Sequence, residues 1–106
     1  MAKYLLEATY TAEGMKGVLK DKASGRKAAV GKALAGVGGK IESFYFAFGE
    51  RDVIVVADLP DNVSAASVAF AVCASGLVRT KTTPLLTVEE TDQALQKGVA
   101  YSAPGR

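Results

Sequence analysis

Residues 41–61 read IESFYFAFGERDVIVVADLPD. Two apolar runs flank a short Gly49-Glu50-Arg51-Asp52 turn, and each run is apolar on both faces of a strand. A hairpin has only one face to bury against its own domain, so the second apolar face needs a cover. Strands are expected at about 40–48 and 52–59. Leu59-Pro60-Asp61-Asn62 stops the second, because Pro cannot extend a ladder and Asp or Asn can cap the next helix. A three-residue turn, Gly49-Glu50-Arg51, pairs Phe48 with Asp52, Phe46 with Ile54, Phe44 with Val56 and Glu42 with Asp58 on one face. The other face carries Ile41, Ser43, Tyr45, Ala47, Val53, Val55 and Ala57. Its small side chains suit close contact with a helix, whereas Glu42 and Asp58 sit poorly beneath one. The open face is therefore expected to present Phe44, Phe46, Phe48, Ile54 and Val56. Each such side chain gains about 1.5–3 kcal/mol on leaving water, and five together exceed the apolar patch a monomer usually tolerates. A second copy of the sheet is the expected cover, making the chain a homodimer or higher homo-oligomer with itself as partner.

The flanking segments complete the fold. Lys3 to Tyr10 alternates with period two, as a strand does. Thr11 is a fair N-cap for a helical region reaching about Val37, with a break expected between 21 and 25 near Ser24-Gly25. Gly38-Gly39 ends it with the positive φ that a helix terminus favours. Residues 63–75, VSAASVAFAVCAS, read as an Ala-rich helix ended by Gly76. Leu77 to Leu86 is a fourth strand, interrupted near its end by Pro84. Thr87 and Glu90 form a capping box that opens a last helix to about Lys97. The order gives an α+β fold: a ferredoxin-like βαββαβ sandwich with an extra C-terminal helix, residues 1–98 as one domain and 99–106 as a frayed tail.

Tyr10–Gly14 (YTAEG), 42–52 (ESFYFAFGERD), 57–62 (ADLPDN) and 79–87 (RTKTTPLLT) resemble the GYD-domain family, in family order over roughly Tyr4 to Glu90. The resemblance implies a ferredoxin-like dimeric α+β barrel with sheets packed face to face, and it brings no established reaction. One departure stands out. The family's Gly-x-Tyr-Asp-like turn has Arg51 here in place of the Tyr.

Composition narrows the chemistry. The chain has 106 residues, a 49% hydrophobic share, a net charge of +2, one cysteine and no histidine. Without His, the usual near-neutral general base and the commonest zinc ligand are both missing. One cysteine makes no internal disulfide, so a cytoplasmic setting is expected. The apolar stretches fall short of the ~20 residues a membrane span needs, and MAKYLLEATYT does not read as a secretory signal. No cofactor, metal, nucleic-acid or membrane partner is expected. The lysines of the first helical region lack interleaved aromatics and read as a solvated face. Gly36–Lys40 follows a helix and lacks the hydroxyl residue of a phosphate loop. Asp58 and Asp61 read as caps beside Pro60, without metal-ligand spacing.

The candidate site residues each carry two readings. Asp52 is a turn cap or a general base. Tyr10 and Tyr45 are packing residues or ligand hydrogen-bond donors. Glu7 lies mid-strand on the central first strand and must find a counter-charge or line a pocket, with Arg79 and Lys81 on the neighbouring fourth strand as the expected cations. Cys73 reads as a small buried hydrophobe. Two functions fit these residues: an oligomeric small-molecule-binding or scaffolding protein, or a cofactor-independent enzyme. The enzyme would act on a small hydrophobic carbonyl compound in the dimer cavity, with Glu7 or Asp52 removing a proton.

Overall fold

A computed structural model describes residues 1–106. The elements run β1 Ala2–Tyr10, α1 Ala12–Ala35, β2 Lys40–Phe46, β3 Val53–Leu59, α2 Asn62–Ala74, β4 Val78–Leu85 and α3 Val88–Leu95. All four strands join one antiparallel sheet in the order β2-β3-β1-β4. Helix α1 lies over β1 and β2, and α2 over β3 and β4. This is the ferredoxin-like α+β sandwich with an added C-terminal helix. Tyr4 from β1 and Val53, Val55, Ala57 and Leu59 from β3 point toward the helices, where Leu34 and Ala65 close the core. The Tyr4 hydroxyl donates to Asn62 Oδ1 at 2.6 Å, tying β1 to the start of α2.

Helix α1 starts as its sequence dictates, with Thr11 Oγ1 accepting the Gly14 N–H at 3.1 Å. Its break falls inside the expected window, but Lys22 takes it (φ 67°, ψ 166°) rather than Gly25. A side chain held in that region costs on the order of 1–3 kcal/mol. The helix ends at Gly36 in right-handed geometry, and the positive φ comes at Gly38 (79°). That turn returns the Gly39 N–H to the Leu34 carbonyl at 2.8 Å.

The hairpin differs from its expected register. The Ala47 N–H bonds the Asp52 carbonyl at 2.8 Å, so four residues, Phe48 to Arg51, form the loop. Phe46 then faces Val53, Phe44 faces Val55 and Tyr45 faces Ile54, while a bulge between Ile41 and Ser43 absorbs the extra residue at Glu42. A one-residue slip moves side chains to the opposite face. Phe44 and Phe46 therefore turn toward the helices, with ring centroids 5.5 Å apart. Ser43 and Tyr45 take their places on the open face. Phe48 stands fully exposed at the loop. Ile54 and Val56 lie on the open face as expected, because β3 keeps its parity.

Helix α2 is capped by Asp61, whose carboxylate accepts the Ser64 N–H at 2.8 Å. That bond holds the Asp61 carboxyl below its ordinary range. Pro84 lies within β4 rather than ending it, which is tolerated because β4 is an edge strand. The Thr87–Glu90 capping box forms in both directions. Beyond it the chain leaves the domain: no residue of α3 is buried. No helix is long and apolar enough to cross a membrane.

Only eight of 106 residues are buried, too few for the apolar content of the chain. The surface measures 7400 Å², whereas a compact monomer of this mass exposes about 5600 Å². The radius of gyration is 16.8 Å, against about 13 Å for a compact domain of this length. The chain on its own is under-covered.

Candidate functional site

The open face of the sheet is built from alternate residues of all four strands. Register aligns Tyr45, Ile54, Glu7 and Lys81 in one row across β2, β3, β1 and β4. The next row in one direction holds Ser43, Val56, Leu5 and Thr83. In the other, Thr9 lies beside Arg79. The face is thus apolar at its centre, through Leu5, Ile54 and Val56, and polar toward both ends, with Thr9 and Arg79 at the end next to Glu7.

Glu7 stands at that boundary. Its side chain is 19% exposed, and Arg51 Nε reaches to 3.7 Å from Oε2. That separation is an ion pair too long for a direct hydrogen bond. Both groups keep hydrogen-bonding capacity for water or a ligand beside the pair. Arg51 is placed by the loop, whose next residue anchors to β1 twice. The Asp52 N–H bonds the Ala8 carbonyl at 2.9 Å, and the Asp52 carboxylate accepts the Tyr10 N–H at 2.9 Å. Asp52 thus ties the hairpin to the central strand instead of capping its own turn. Its carboxylate is engaged by backbone. Between these groups the Thr9 hydroxyl is buried without a hydrogen-bond partner.

The other sequence candidates scatter. Lys81 faces Glu7 in register and Arg79 faces Thr9, but both are exposed, and the counter-charge of Glu7 is Arg51. Tyr45 is exposed on the open face, three strands from Lys81 in the same row. Tyr10 faces the helix side, where with Asp21, Arg26 and Ser75 it lines a depression. Cys73 is exposed, contrary to its reading as a buried hydrophobe, with Sγ 3.3 Å from Thr80 Oγ1. It sits on the flank of α2 that overhangs the edge strand, where no element covers it.

At the far end of the open face Lys3 gathers two carboxylates, Asp58 at 2.8 Å and Glu42 at 3.3 Å. The Lys3 ammonium donating to Asp58 pulls that carboxyl below its ordinary range, and Asp58 and Glu42 raise Lys3 above its own. These charges, which would sit poorly beneath a helix, pair with one another there. On the helix side a cavity of about 70 Å³ lies between the helices and the sheet, lined by Leu6, Val30, Val53, Val68 and Val78 with Arg26 at its edge. Arg26 Nε is buried without a partner, although its guanidinium reaches Asp21 at 3.6 Å.

Sequence reasoning finds Glu7 and misses Arg51, Thr9 and Arg26. Arg51 has one available signal, its place where the family turn carries Tyr. Searches among curated proteins and among solved structures find no match. The family model described as the GYD domain matches residues 4–95. Nearly the whole chain is spanned, from the first strand through the capped C-terminal helix, and the chain belongs to the GYD domain family.

Proposed function

We propose that this chain is a homo-oligomeric small-molecule-binding protein. In this reading its open sheet face meets that of a second copy as a dimeric α+β barrel. The space between the sheets takes a small, largely apolar molecule bearing a polar group. The observation that carries the reading is Glu7: a carboxylate in the middle of the central strand, on the uncovered face, with its cation 3.7 Å away. At that distance neither group is committed to a direct hydrogen bond with the other. Leu5, Ile54 and Val56 supply the apolar wall, and the unpartnered Thr9 hydroxyl adds a polar contact. Excess surface favours a second copy, since an interface of standard size buries roughly 800 Å² per partner. The exposed, unpaired Cys73 suits a reducing cytoplasm.

The same position of Glu7 favours one second reading, proton abstraction from a carbonyl compound held against Arg51. Native mass spectrometry of the purified chain, followed by denaturing release, separates the cases. We expect at least two chains and a released small molecule that Glu7→Gln fails to retain. Conversion of that molecule on incubation supports the enzyme, and its recovery unchanged supports the binding protein. A monomer carrying nothing contradicts both.

A further inference from the structure

Arg26 is a part-buried cation without a hydrogen-bonded partner. Its Nε is buried and unpaired, and the nearest carboxylate, Asp21, stays 3.6 Å from Nη1. That separation is too long for a direct hydrogen bond, and a buried N–H left unpaired is costly. The residue lies in the first turn after the break at Lys22, so the positive end of the restarted helix adds to its charge.

Two spaces meet at this side chain. On one side is the cavity of about 70 Å³ between the helices and the sheet, walled by Leu6, Val30, Val53, Val68 and Val72. It exists because α1 packs on β1 and β2 and α2 on β3 and β4, with little contact between the helices themselves. On the other side is the depression walled by Tyr10, Asp21 and Ser75. Arg26 and Val78 line both, and Arg26 is the one cation in either lining. An apolar chamber thus adjoins a polar mouth, with a guanidinium at the junction. Small-molecule sites are commonly built in this way, with apolar walls and a few polar groups that fix orientation.

Size and charge select the ligand. Benzene, with its six carbons, occupies an apolar cavity of about 150 Å³, so 70 Å³ takes about three carbons. A guanidinium fork matches a carboxylate. We propose that this cavity is a second ligand site, for a short aliphatic monocarboxylate of about four carbons. Its carboxylate lies in the mouth on Arg26 and its tail between the helices. The half-exposed Asp21 yields its place to the ligand. The site is on the opposite side of the sheet from Glu7 and stands without the ligand-binding reading.

Butyrate is the probe, followed through the methyl signals of isotope-labelled protein. We expect saturable shifts at Val30, Val68 and Val78 at millimolar butyrate, with Ile54 and Val56 on the open face unmoved. Arg26→Gln keeps side-chain donors and removes the charge, so affinity should fall at least tenfold. Butyramide, which is uncharged, and octanoate, which is too long, should each bind at least tenfold more weakly than butyrate. Ala8→Ile adds three carbons to the strand that floors the cavity, and a β-branched residue suits a strand. That variant should keep its folded spectrum and lose butyrate. Shifts that never saturate, equal affinity in Arg26→Gln, or undiminished binding in Ala8→Ile each overturn the proposal. So do shifts led by Ile54 and Val56, which place the probe on the open face.

Discussion

Gly14 and Gly17 lie in the same turn of α1, so replacing each by Ala makes the same chemical change in two surroundings. In a helix Ala is favoured over Gly by about 1 kcal/mol. Nothing lies within 4 Å of a methyl group at Gly17, so Gly17→Ala is expected to stabilise by roughly 0.5–1 kcal/mol. At Gly14 the methyl would overlap the Leu77 carbonyl oxygen. That oxygen accepts the Thr11 N–H at 2.9 Å and the Thr11 hydroxyl at 3.2 Å, so it cannot swing aside without breaking the helix cap. Overpacking against fixed structure costs about 1–3 kcal/mol, and a backbone obstacle belongs at the upper end. Gly14→Ala should therefore lose a net 1–2 kcal/mol, roughly, after the propensity gain. The two variants should differ by about 2–3 kcal/mol. Urea denaturation at one fixed protein concentration, with unchanged m-values, measures the difference. Equal and favourable shifts at both positions would refute the docking of the α1 start on the α2–β4 connection.

Phe44→Ala should cost about 3 kcal/mol or more because Phe44 packs against the core, while Tyr45→Ala, exposed on the open face, should cost under about 1 kcal/mol in a dilute monomeric background. The reverse order in denaturation would restore the three-residue turn. Glu7→Gln should change stability by less than about 1 kcal/mol, as a part-exposed ion pair contributes little. A larger loss would make the Arg51 pair structural. Asp58 is ionised more readily in the folded chain than in the unfolded one, so its contribution is present above the unfolded carboxylate range. It is lost as pH falls through the lowered folded value. Wild type should lose stability faster than Asp58→Asn over that acid window, and parallel pH profiles would contradict the Lys3 pairing.

Topology and β3 are readable for a physical reason: Pro60 fixes where β3 ends, and alternation from Val53 to Leu59 leaves one parity with Asp58 outside. For β2, FYFAF is apolar on either parity, and the bulge at Glu42 has no glycine or proline to announce it. Sequence alone therefore puts its side chains on the wrong faces. Ser24-Gly25 points to a break in α1, and the break falls within that window but at Lys22 rather than at the glycine. Glu7 can be found because strand order alone places it centrally. Its counter-charge cannot, because Arg51 comes from a loop whose path depends on Asp52 bonding to β1. Cys73 is misread as buried because an Ala-rich helix gives no polar face by which to orient it.

The central claim is that a second copy covers the open sheet face. Sedimentation equilibrium at micromolar concentration tests it most directly. The chain should sediment at no less than twice the 11.0 kDa mass. Ile54→Glu places a second carboxylate in the row beside Glu7. Burying that charge between sheets costs several kcal/mol, roughly, so that variant should sediment as a single chain. A wild-type chain that is already a stable, folded monomer would contradict the account.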